Sequence, residues 1–421
     1  MLRRDLIKLL MVAGSGLGTT ALATNKPFRP YEGPFYFTLT ADGGWDVTSF
    51  CDPKDSRKMN NWAKKGRIQT AKQSNIRYAP FANNQAFFDK YAKHMLVING
   101  IDCQTNAHNA GSRHMWSGNF NLGYPSVGAL AAASYGKGLP LPYISFGGYR
   151  ETADLVTTTL LDEPEQLANL IQPNIQREEK ARFFHDQNYT LLQQARQQRV
   201  KDLRHQHVNQ PRFLKALDHY QAALDTAPAL RRLEQQYREG SSIQSFNNPL
   251  AKQIRIGMAA ARAGLTVGTD LVLDGFDTHD NHDQRHTTAL NQLVEGIDLF
   301  WQEAEHSGLS DQVVLVVGSE FGRTPEYNDG KGKDHWPIGS MLVMKKQAPW
   351  LNQTLGATND AHEALALNSQ LQPVDPDAGV LIQPKHIHNM LRHLTGVENG
   401  PLASALPLFA EDLPLANILR G

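Results

Sequence analysis

The chain has 421 residues, and its 42 lysine and arginine side chains balance its 42 aspartate and glutamate side chains. A formal charge of zero argues against a general nucleic-acid binder and against a protein that binds anionic membranes. No stretch reaches the roughly 18 consecutive apolar residues that a membrane span needs. A hydrophobic content of 41% is enough for a sizeable core. These values predict one large domain that carries an insertion.

Residues 1–23 carry the pattern of a twin-arginine signal peptide. Arg3 and Arg4 precede a glycine-rich apolar run at residues 9–22, and a small-x-small cleavage site ends at Ala23. The alternative is a chance pair of arginines. We expect the mature chain, residues 24–421, to be exported to the periplasm or the medium, with the twin-arginine translocase as its partner. Because this pathway carries folded proteins, often around a cofactor, it favours a metal site in the mature chain.

Apolar runs alternate with helical patterns along the mature chain. Branched and aromatic residues predict strands at residues 35–40, 95–100, 143–148, 269–273, 313–317 and 341–344. Helical periodicity predicts helices at residues 82–91, 127–135 and 284–306, and a closing helix after Pro384. Residues 164–240 are rich in Gln, Arg and Glu, which predicts two or three inserted helices. The alternation predicts an α/β fold with a mostly parallel sheet.

The chain has two cysteines, Cys51 and Cys103. An oxidising compartment permits a disulfide between them, because both follow predicted strands at the same edge of the sheet. Two free structural thiols are the alternative.

Polar side chains follow three of the predicted strands at the points where these strands end. They are Asp42, Asp46, Asp277, His279, Glu320, Arg323, Asp334 and His335. Because the carboxyl ends of parallel strands meet at one edge of the sheet, we expect these side chains to converge there. Carboxylate and imidazole groups predict one or two divalent ions, such as zinc, manganese or calcium. The alternative is a buried Glu320–Arg323 ion pair, with Asp334 capping a turn.

Two further segments carry candidate site residues. Ser112 and Thr105 follow the second strand and are candidate nucleophiles near a helix N-terminus, where His108 and Arg113 would hold an oxyanion. The alternative is that they cap and pack the helix. At the start of the long helix, we expect Asp280 and Asn281 to act as caps. His282 and His286 share a face of that helix, and we expect them on the surface or behind the metal ligands.

Four motifs, in this order, resemble an exported bacterial family known as domain of unknown function 1501. They are Asp42-Gly43-Gly44-Trp45-Asp46, Asp277-Thr278-His279, Ser319-Glu320-Phe321-Gly322-Arg323-Thr324-Pro325 and Gly332-Lys333-Asp334-His335-Trp336-Pro337. The family is similar to the alkaline phosphatase and sulfatase superfamily, and the resemblance covers nearly the whole mature chain. It implies an alkaline-phosphatase-like α/β/α sandwich with a doubly wound, mostly parallel sheet and a two-metal site.

The resemblance also implies roles for single residues. Asp42 would be the ligand after the first strand, Asp277 and His279 the central ligands, and His335 the late histidine ligand. Glu320 stands where the superfamily usually has the aspartate of an Asp-His pair.

This sequence departs from the superfamily in three places. Phe321 replaces the histidine of that pair, which weakens the expectation of a second metal. The position expected to bear a serine or threonine nucleophile falls near His108. Cys51-Asp52-Pro53-Lys54-Asp55 lacks the arginine of the sulfatase motif, which argues against a sulfatase of the usual type.

The sequence therefore predicts an exported metal-dependent hydrolase that acts on a phosphate or sulfate ester of an anionic small molecule or glycan. The expected catalytic residues are Ser112, His108 and Arg323, with Arg323 placed for an anionic substrate. The expected metal ligands are Asp42, Asp277, His279, Glu320, Asp334 and His335, and Asp334 would also orient His335. The alternative is a binding or assembly protein that keeps the fold without turnover.

The signal-peptide hypothesis predicts that replacing Arg3 and Arg4 by lysine leaves an uncleaved precursor in the cytoplasm, because the translocase reads the arginine pair. Fractionation of cells followed by immunoblotting measures this. Normal accumulation of the variant outside the cytoplasm would contradict the hypothesis.

Overall fold

The computed structural model describes residues 29–160, 184–410 and 413–420. The predicted signal peptide, residues 1–23, lies outside these ranges, as do residues 164–183 of the predicted insert. Within the described ranges, no helix is both long and apolar enough to cross a membrane.

Eight strands form a central sheet, in the order β12-β4-β11-β8-β1-β7-β5-β6. In chain order, the strands of the described residues are β1 (Phe35–Ala41), β2 (Gln69–Thr70), β3 (Arg77–Tyr78), β4 (Met95–Asp102), β5 (Tyr143–Ser145), β6 (Thr158–Thr159), β7 (Gly268–Leu273), β8 (Val313–Gly318), β9 (Gly322–Arg323), β10 (His335–Trp336), β11 (Ile338–Met344), β12 (Gln353–Leu355), β13 (Ala366–Leu367), β14 (Pro373–Val374) and β15 (Val380–Leu381). Within the sheet, β11 runs antiparallel to β4 and β8, and the other pairings are parallel. Thr40 pairs with Gly318 and Ala41 with Leu273, so β1, β7 and β8 end at one edge.

Helices cover both faces of the sheet. In chain order, the α-helices of the described residues are α1 (Asn84–Tyr91), α2 (His108–Ser117), α3 (Val127–Tyr135), α4 (Asp186–Gln206), α5 (Pro211–Thr226), α6 (Arg231–Arg238), α7 (Leu250–Arg262), α8 (His282–His306), α9 (Pro384–Leu394) and α10 (Pro401–Ala405). Short 3-10 helices lie at Val47–Ser49, Asn61–Lys64, Ala92–His94, Ala227–Leu230, Pro376–Ala378 and Leu415–Arg420.

The side chains of strand β1 pack against helices on both faces of the sheet. Its side chains alternate between the two faces because successive residues of a strand point in opposite directions. Phe35, Phe37 and Leu39 pack in the layer of α1, α7 and α8, whereas Tyr36 packs in the layer of α2, α3 and α9. The predicted α/β/α sandwich with a mostly parallel sheet is confirmed.

Two local features differ from the sequence predictions. Strand β5 ends at Ser145 rather than at residue 148, because the chain turns at Gly147 and Gly148, whose φ angles are 149° and 66°. Helix α8 begins at His282, and Asn281 before it has a φ of 44° and makes no side-chain capping bond. The predicted side-chain cap is therefore wrong.

Helices α4, α5 and α6 occupy residues 184–240, the described part of the predicted insert, and no strand lies there. Leu233 of α6 packs with Ile256 of α7. Their cluster, which also contains Ile144 of β5, joins the end of the insert to a helix that covers the sheet.

Cys51 and Cys103 are both buried and both free. Burial raises the pKa of Cys103 to about 12 and also raises that of Cys51. Protonated, buried thiols are poorly reactive. The structure thus agrees with the free-thiol alternative.

A fully buried ion pair joins the loop after β1 to the loop before β10. Asp46 Oδ2 lies 2.8 Å from Lys333 Nζ and 3.0 Å from His282 Nε2, and both members of the ion pair are 0% exposed. Lys333 also donates to Asn60 Oδ1 at 3.1 Å. Burial alone would raise the pKa of Asp46, but Lys333 and His282 hold it well below its usual range.

A buried carboxyl group of another kind lies within the sheet. Asp270 of β7 accepts hydrogen bonds from Thr38 Oγ1 at 2.5 Å and from the Tyr143 hydroxyl. Burial raises its pKa to about 7, although these two hydrogen bonds act in the opposite direction. The folded state therefore favours the protonated form of Asp270 up to neutral pH.

Replacement of Lys333 by methionine should destabilise the fold by about 3–5 kcal/mol, because it leaves the charge of Asp46 buried without a partner. Urea unfolding measures the change. The same substitution at Lys346, whose partner Glu305 is 59% exposed, is the control and should cost at most about 1 kcal/mol. Equal decreases in the free energy of unfolding of the two variants would contradict the claim that burial makes the loss of the lysine costly.

The pKa of Asp270 predicts a pH-dependent effect of replacing it by asparagine. The pKa of Asp270 in the folded state is raised above the ordinary value of 3.8. The protonated carboxyl group therefore contributes its full stabilisation below pH 3.8, and this stabilisation decreases as the pH rises towards about 7. The free energy of unfolding of Asp270→Asn, relative to the unsubstituted protein, should therefore increase by about 3 kcal/mol between about pH 5 and about pH 8. Urea unfolding across this range measures the difference, and a flat difference would contradict the raised pKa.

Candidate metal centre

A tight turn after β1 brings two loops of the carboxyl edge into backbone contact. Gly43 has a φ of +117°, and a Cβ atom there would lie 2.3 Å from the amide nitrogen of Asp277. A residue with a side chain would clash at this point, and L-residues rarely adopt this φ. The glycine therefore lets the loops after β1 and β7 meet.

The residues directly after β8 hold this turn in place. Ser319 Oγ donates to the Ala41 carbonyl at 2.5 Å and accepts from the Gly44 amide at 3.1 Å. Glu320 Oε1 accepts from the Gly43 amide at 2.9 Å. Both side chains are almost completely buried. Ser319 and Glu320 thus serve as braces beneath the surface of the edge.

Three histidines at this edge are each anchored through Nδ1. His279 Nδ1 lies 2.8 Å from Asp334 Oδ1, and His108 Nδ1 lies 2.8 Å from Glu320 Oε1. His335 Nδ1 lies 2.7 Å from the carbonyl oxygen of Asn106. Because carboxylate and carbonyl oxygens only accept hydrogen bonds, each Nδ1 carries a proton, and in a neutral imidazole the Nε2 atom then carries a lone pair.

The three Nε2 atoms converge on the carboxylate of Asp277. Its oxygens lie 3.0 Å from His279 Nε2, 3.2 Å from His335 Nε2 and 3.7 Å from His108 Nε2. The Nε2 atoms of His279 and His335 are 3.0 Å apart. Ligand atoms of His108, Asp277 and His335 all lie within 4.8 Å of one another. We call these four residues the histidine cluster.

Lone pairs this close to one another and to a carboxylate repel unless a proton or a cation lies among them. Anchoring of Nδ1 by a carboxylate or a carbonyl is the arrangement that orients metal-ligating histidines. Nitrogen and oxygen donors of this kind hold zinc and related divalent ions. The histidine cluster can therefore hold a metal ion.

Arg323 holds the cluster from below rather than facing a substrate. Its side chain is 0% exposed. Its Nε donates to the Gly44 carbonyl at 2.7 Å, its Nη1 to the Lys333 carbonyl at 2.9 Å, and its Nη2 to Asp277 Oδ1 at 2.5 Å. Burial alone would raise the pKa of Asp277, but Arg323 lowers it to about 2. The structure thus differs from the prediction that Arg323 contacts an anionic substrate.

The other predicted carboxylate ligands lie around the cluster. Asp42 is half-buried, and burial together with the charges of Glu320 and Asp274 raises its pKa to about 6. Asp334 accepts from His279 rather than from His335, and this hydrogen bond lowers its pKa. The sequence prediction had paired Asp334 with its neighbour His335. His335 pairs with Arg323, where β10 runs antiparallel to β9. Asp334 therefore bonds to His279, which lies in another loop.

The predicted nucleophiles do not join the histidine cluster. Ser112 lies one turn after His108 in α2, and among the described residues no hydrogen bond links its side chain to the cluster. Thr105 Oγ1 accepts from the Ala107 amide at 3.2 Å, and Arg113 donates to the Phe120 carbonyl at 2.9 Å. In this part of the chain, His108 is the residue that reaches the cluster.

Aromatic packing supports the cluster. The ring of Phe321 lies 5.0 Å from that of His108 and 4.5 Å from that of His335, measured between centroids. His282 and His286 are fully buried and stack at 4.8 Å. Two positions were expected for these histidines, on the surface or behind the metal ligands, and the surface position is wrong. The apolar residues Ala289, Leu290 and Leu293 continue the same helix face, and this is the sequence signal that both histidines belong to the core.

Solved structures with similar folds share little sequence with this chain. The lipoteichoic acid synthase LtaP from Listeria monocytogenes has 10% identity and a TM-score of 0.38, with 94% of this chain and 78% of that chain covered. An alkaline phosphatase from the Antarctic bacterium TAB5 has 9% identity and a TM-score of 0.33, with 77% and 95% covered. A protein in the alkaline phosphatase superfamily from Vibrio parahaemolyticus has 8% identity and a TM-score of 0.35, with 94% and 76% covered.

No curated protein matches this sequence. A family model described as "Protein of unknown function (DUF1501)" matches residues 37–345. The match includes most of β1, all of β4, β7, β8 and β11, and every residue of the histidine cluster. The chain belongs to the DUF1501 family.

Proposed function

We propose that this chain is an exported, metal-dependent hydrolase that cleaves a phosphate or sulfate ester. His108, His279, His335 and Asp277 would hold one divalent ion. The observation that carries the proposal is the anchoring of all three Nδ1 atoms, which turns the three Nε2 atoms towards one carboxylate.

The donor set fits some ions better than others. Imidazole nitrogens with one carboxylate suit zinc or manganese, whereas calcium prefers oxygen ligands throughout. When bound, such an ion activates water and offsets the negative charge that develops on the ester.

The residues around the cluster have separate roles in this proposal. Hydrolysis joins the oxygen of a water molecule to phosphorus or sulfur, and the bond to the ester oxygen breaks as that oxygen takes a proton and leaves as an alcohol. Asp42, half-buried beside the cluster, would take a proton from that water molecule as a general base. Glu320, Asp334 and Arg323 hold the histidines and Asp277 in position.

A metal-binding protein without turnover is the second candidate. It is favoured by the absence of a serine or threonine hydroxyl from the histidine cluster among the described residues. It is also favoured by the position of Phe321, whose apolar ring packs where a second ligand was expected. The two candidates share the metal site and differ in hydrolysis.

Removal of one imidazole tests both parts of the proposal. We expect His279→Gln to bind zinc or manganese at least about tenfold more weakly and to lose hydrolysis of aryl phosphate and aryl sulfate esters. Isothermal titration of the metal-depleted protein and release of the aryl alcohol measure the two effects. A chelator should lower the melting temperature of the unsubstituted protein, because an ion that binds the folded state stabilises it.

The control is His306→Gln, since His306 is exposed at the far end of α8 and should leave metal affinity unchanged. Tight metal binding without hydrolysis would support the second candidate. Failure of the unsubstituted protein to bind either ion would contradict the metal site.

A further inference from the structure

Three basic side chains near the histidine cluster are paired with carboxylates. Arg323 pairs with Asp277, and Lys333 pairs with Asp46; both basic side chains are 0% exposed. Arg285, which is 44% exposed, pairs with Asp280 and also donates to the Asp277 carbonyl at 3.0 Å. None of these three side chains is left to pair with a substrate.

Several carboxylates at the same edge lack a lysine or arginine partner. They are Asp42, Asp274, Glu320 and Asp334. Glu320 and Asp334 instead make polar contacts with histidines, an asparagine, a serine hydroxyl and a backbone amide. These four carboxylates give this edge of the sheet an excess of negative charge. A divalent ion would offset only part of it.

An additional negative charge on the substrate would therefore be costly. Recognition of a dianionic phosphoryl group generally relies on arginine forks or lysine ammonium groups. A phosphate monoester carries between one and a half and two negative charges near neutral pH, because its second pKa is about 6. A phosphate diester or a sulfate monoester carries a single charge.

We infer that the site selects esters whose transferred group carries a single negative charge, and that it discriminates against dianionic phosphate monoesters. This inference rests on the proposed hydrolase function and narrows its substrate class. Phosphate diesters and sulfate monoesters share the required charge, and they are distinguished by experiment.

The test compares three aryl esters with the zinc- or manganese-loaded protein. They are para-nitrophenyl sulfate, methyl para-nitrophenyl phosphate and para-nitrophenyl phosphate. At about pH 8 we expect kcat/KM, divided by the uncatalysed rate, to be at least about tenfold higher for one of the two monoanionic esters than for the monoester. The monoanionic ester with the higher corrected kcat/KM shows whether the preferred substrate is a phosphate diester or a sulfate monoester. A preference for the monoester would overturn the inference while leaving the hydrolase proposal intact.

A binding experiment tests the charge preference even if the protein does not hydrolyse the esters. Isothermal titration compares methyl sulfate and dimethyl phosphate, which are monoanions, with methyl phosphate, which is a dianion. We expect at least one monoanion to bind more tightly than methyl phosphate, and the reverse order would overturn the inference. Failure of hydrolysis with this binding order retained would count against the hydrolase proposal alone.

A charge variant tests the physical cause. Asp274 is exposed and acts on Asp42 through its charge. Asp274→Asn should raise the dianion-to-monoanion ratio of kcat/KM by about two- to threefold, as expected for one charge some ångströms away in water-like surroundings. Asp311→Asn is the matched control, because Asp311 is exposed just before β8, at the opposite edge of the sheet. Equal ratios in the two variants would overturn the electrostatic explanation.

Discussion

The buried ion pair between Asp46 and Lys333 is the constraint on which the edge of the sheet depends. It joins the loop after β1 to the loop that leads into His335, and His282 at the start of α8 also bonds to Asp46. A buried pair of this kind adds little net stability, but removal of one partner is costly. Its main consequence is positional, since the Lys333 carbonyl accepts from Arg323, and Arg323 in turn holds Asp277.

The histidine cluster depends on this frame through a second set of contacts. Each imidazole is fixed at Nδ1 by a group from another loop, so its orientation is set before any ion binds. Pre-set ligands of this kind favour metal affinity, because little conformational freedom is lost on binding. Because Arg323 and Lys333 are buried and paired with carboxylates, they do not offset the negative charge at the surface of the site. The proposed metal binding and the proposed charge selection thus both depend on one arrangement of buried cations.

The sequence predicted six of the eight strands of the central sheet, because apolar runs such as residues 313–317 have few alternatives to a buried strand. It did not predict the short edge strands β6 and β12. It also predicted that loops after parallel strands would meet. It did not predict the buried positions of Arg323 and Lys333, because charged residues beside glycines are typical of an exposed loop. The partner of Asp334 depends on the pairing of β9 with β10, which no local pattern encodes. His108 was placed near an oxyanion rather than in the cluster, because a histidine at a helix start has no signal for the direction of its ring.

Anomalous X-ray diffraction from crystals soaked in zinc tests the central claim most directly. The account predicts a single strong peak at the zinc edge, about 2.0–2.2 Å from the Nε2 atoms of the cluster and from an oxygen of Asp277. Crystals of His279→Gln should show a weaker peak at the same place. A fully soaked crystal with no anomalous peak at the cluster, or with zinc only at surface histidines, would contradict the account.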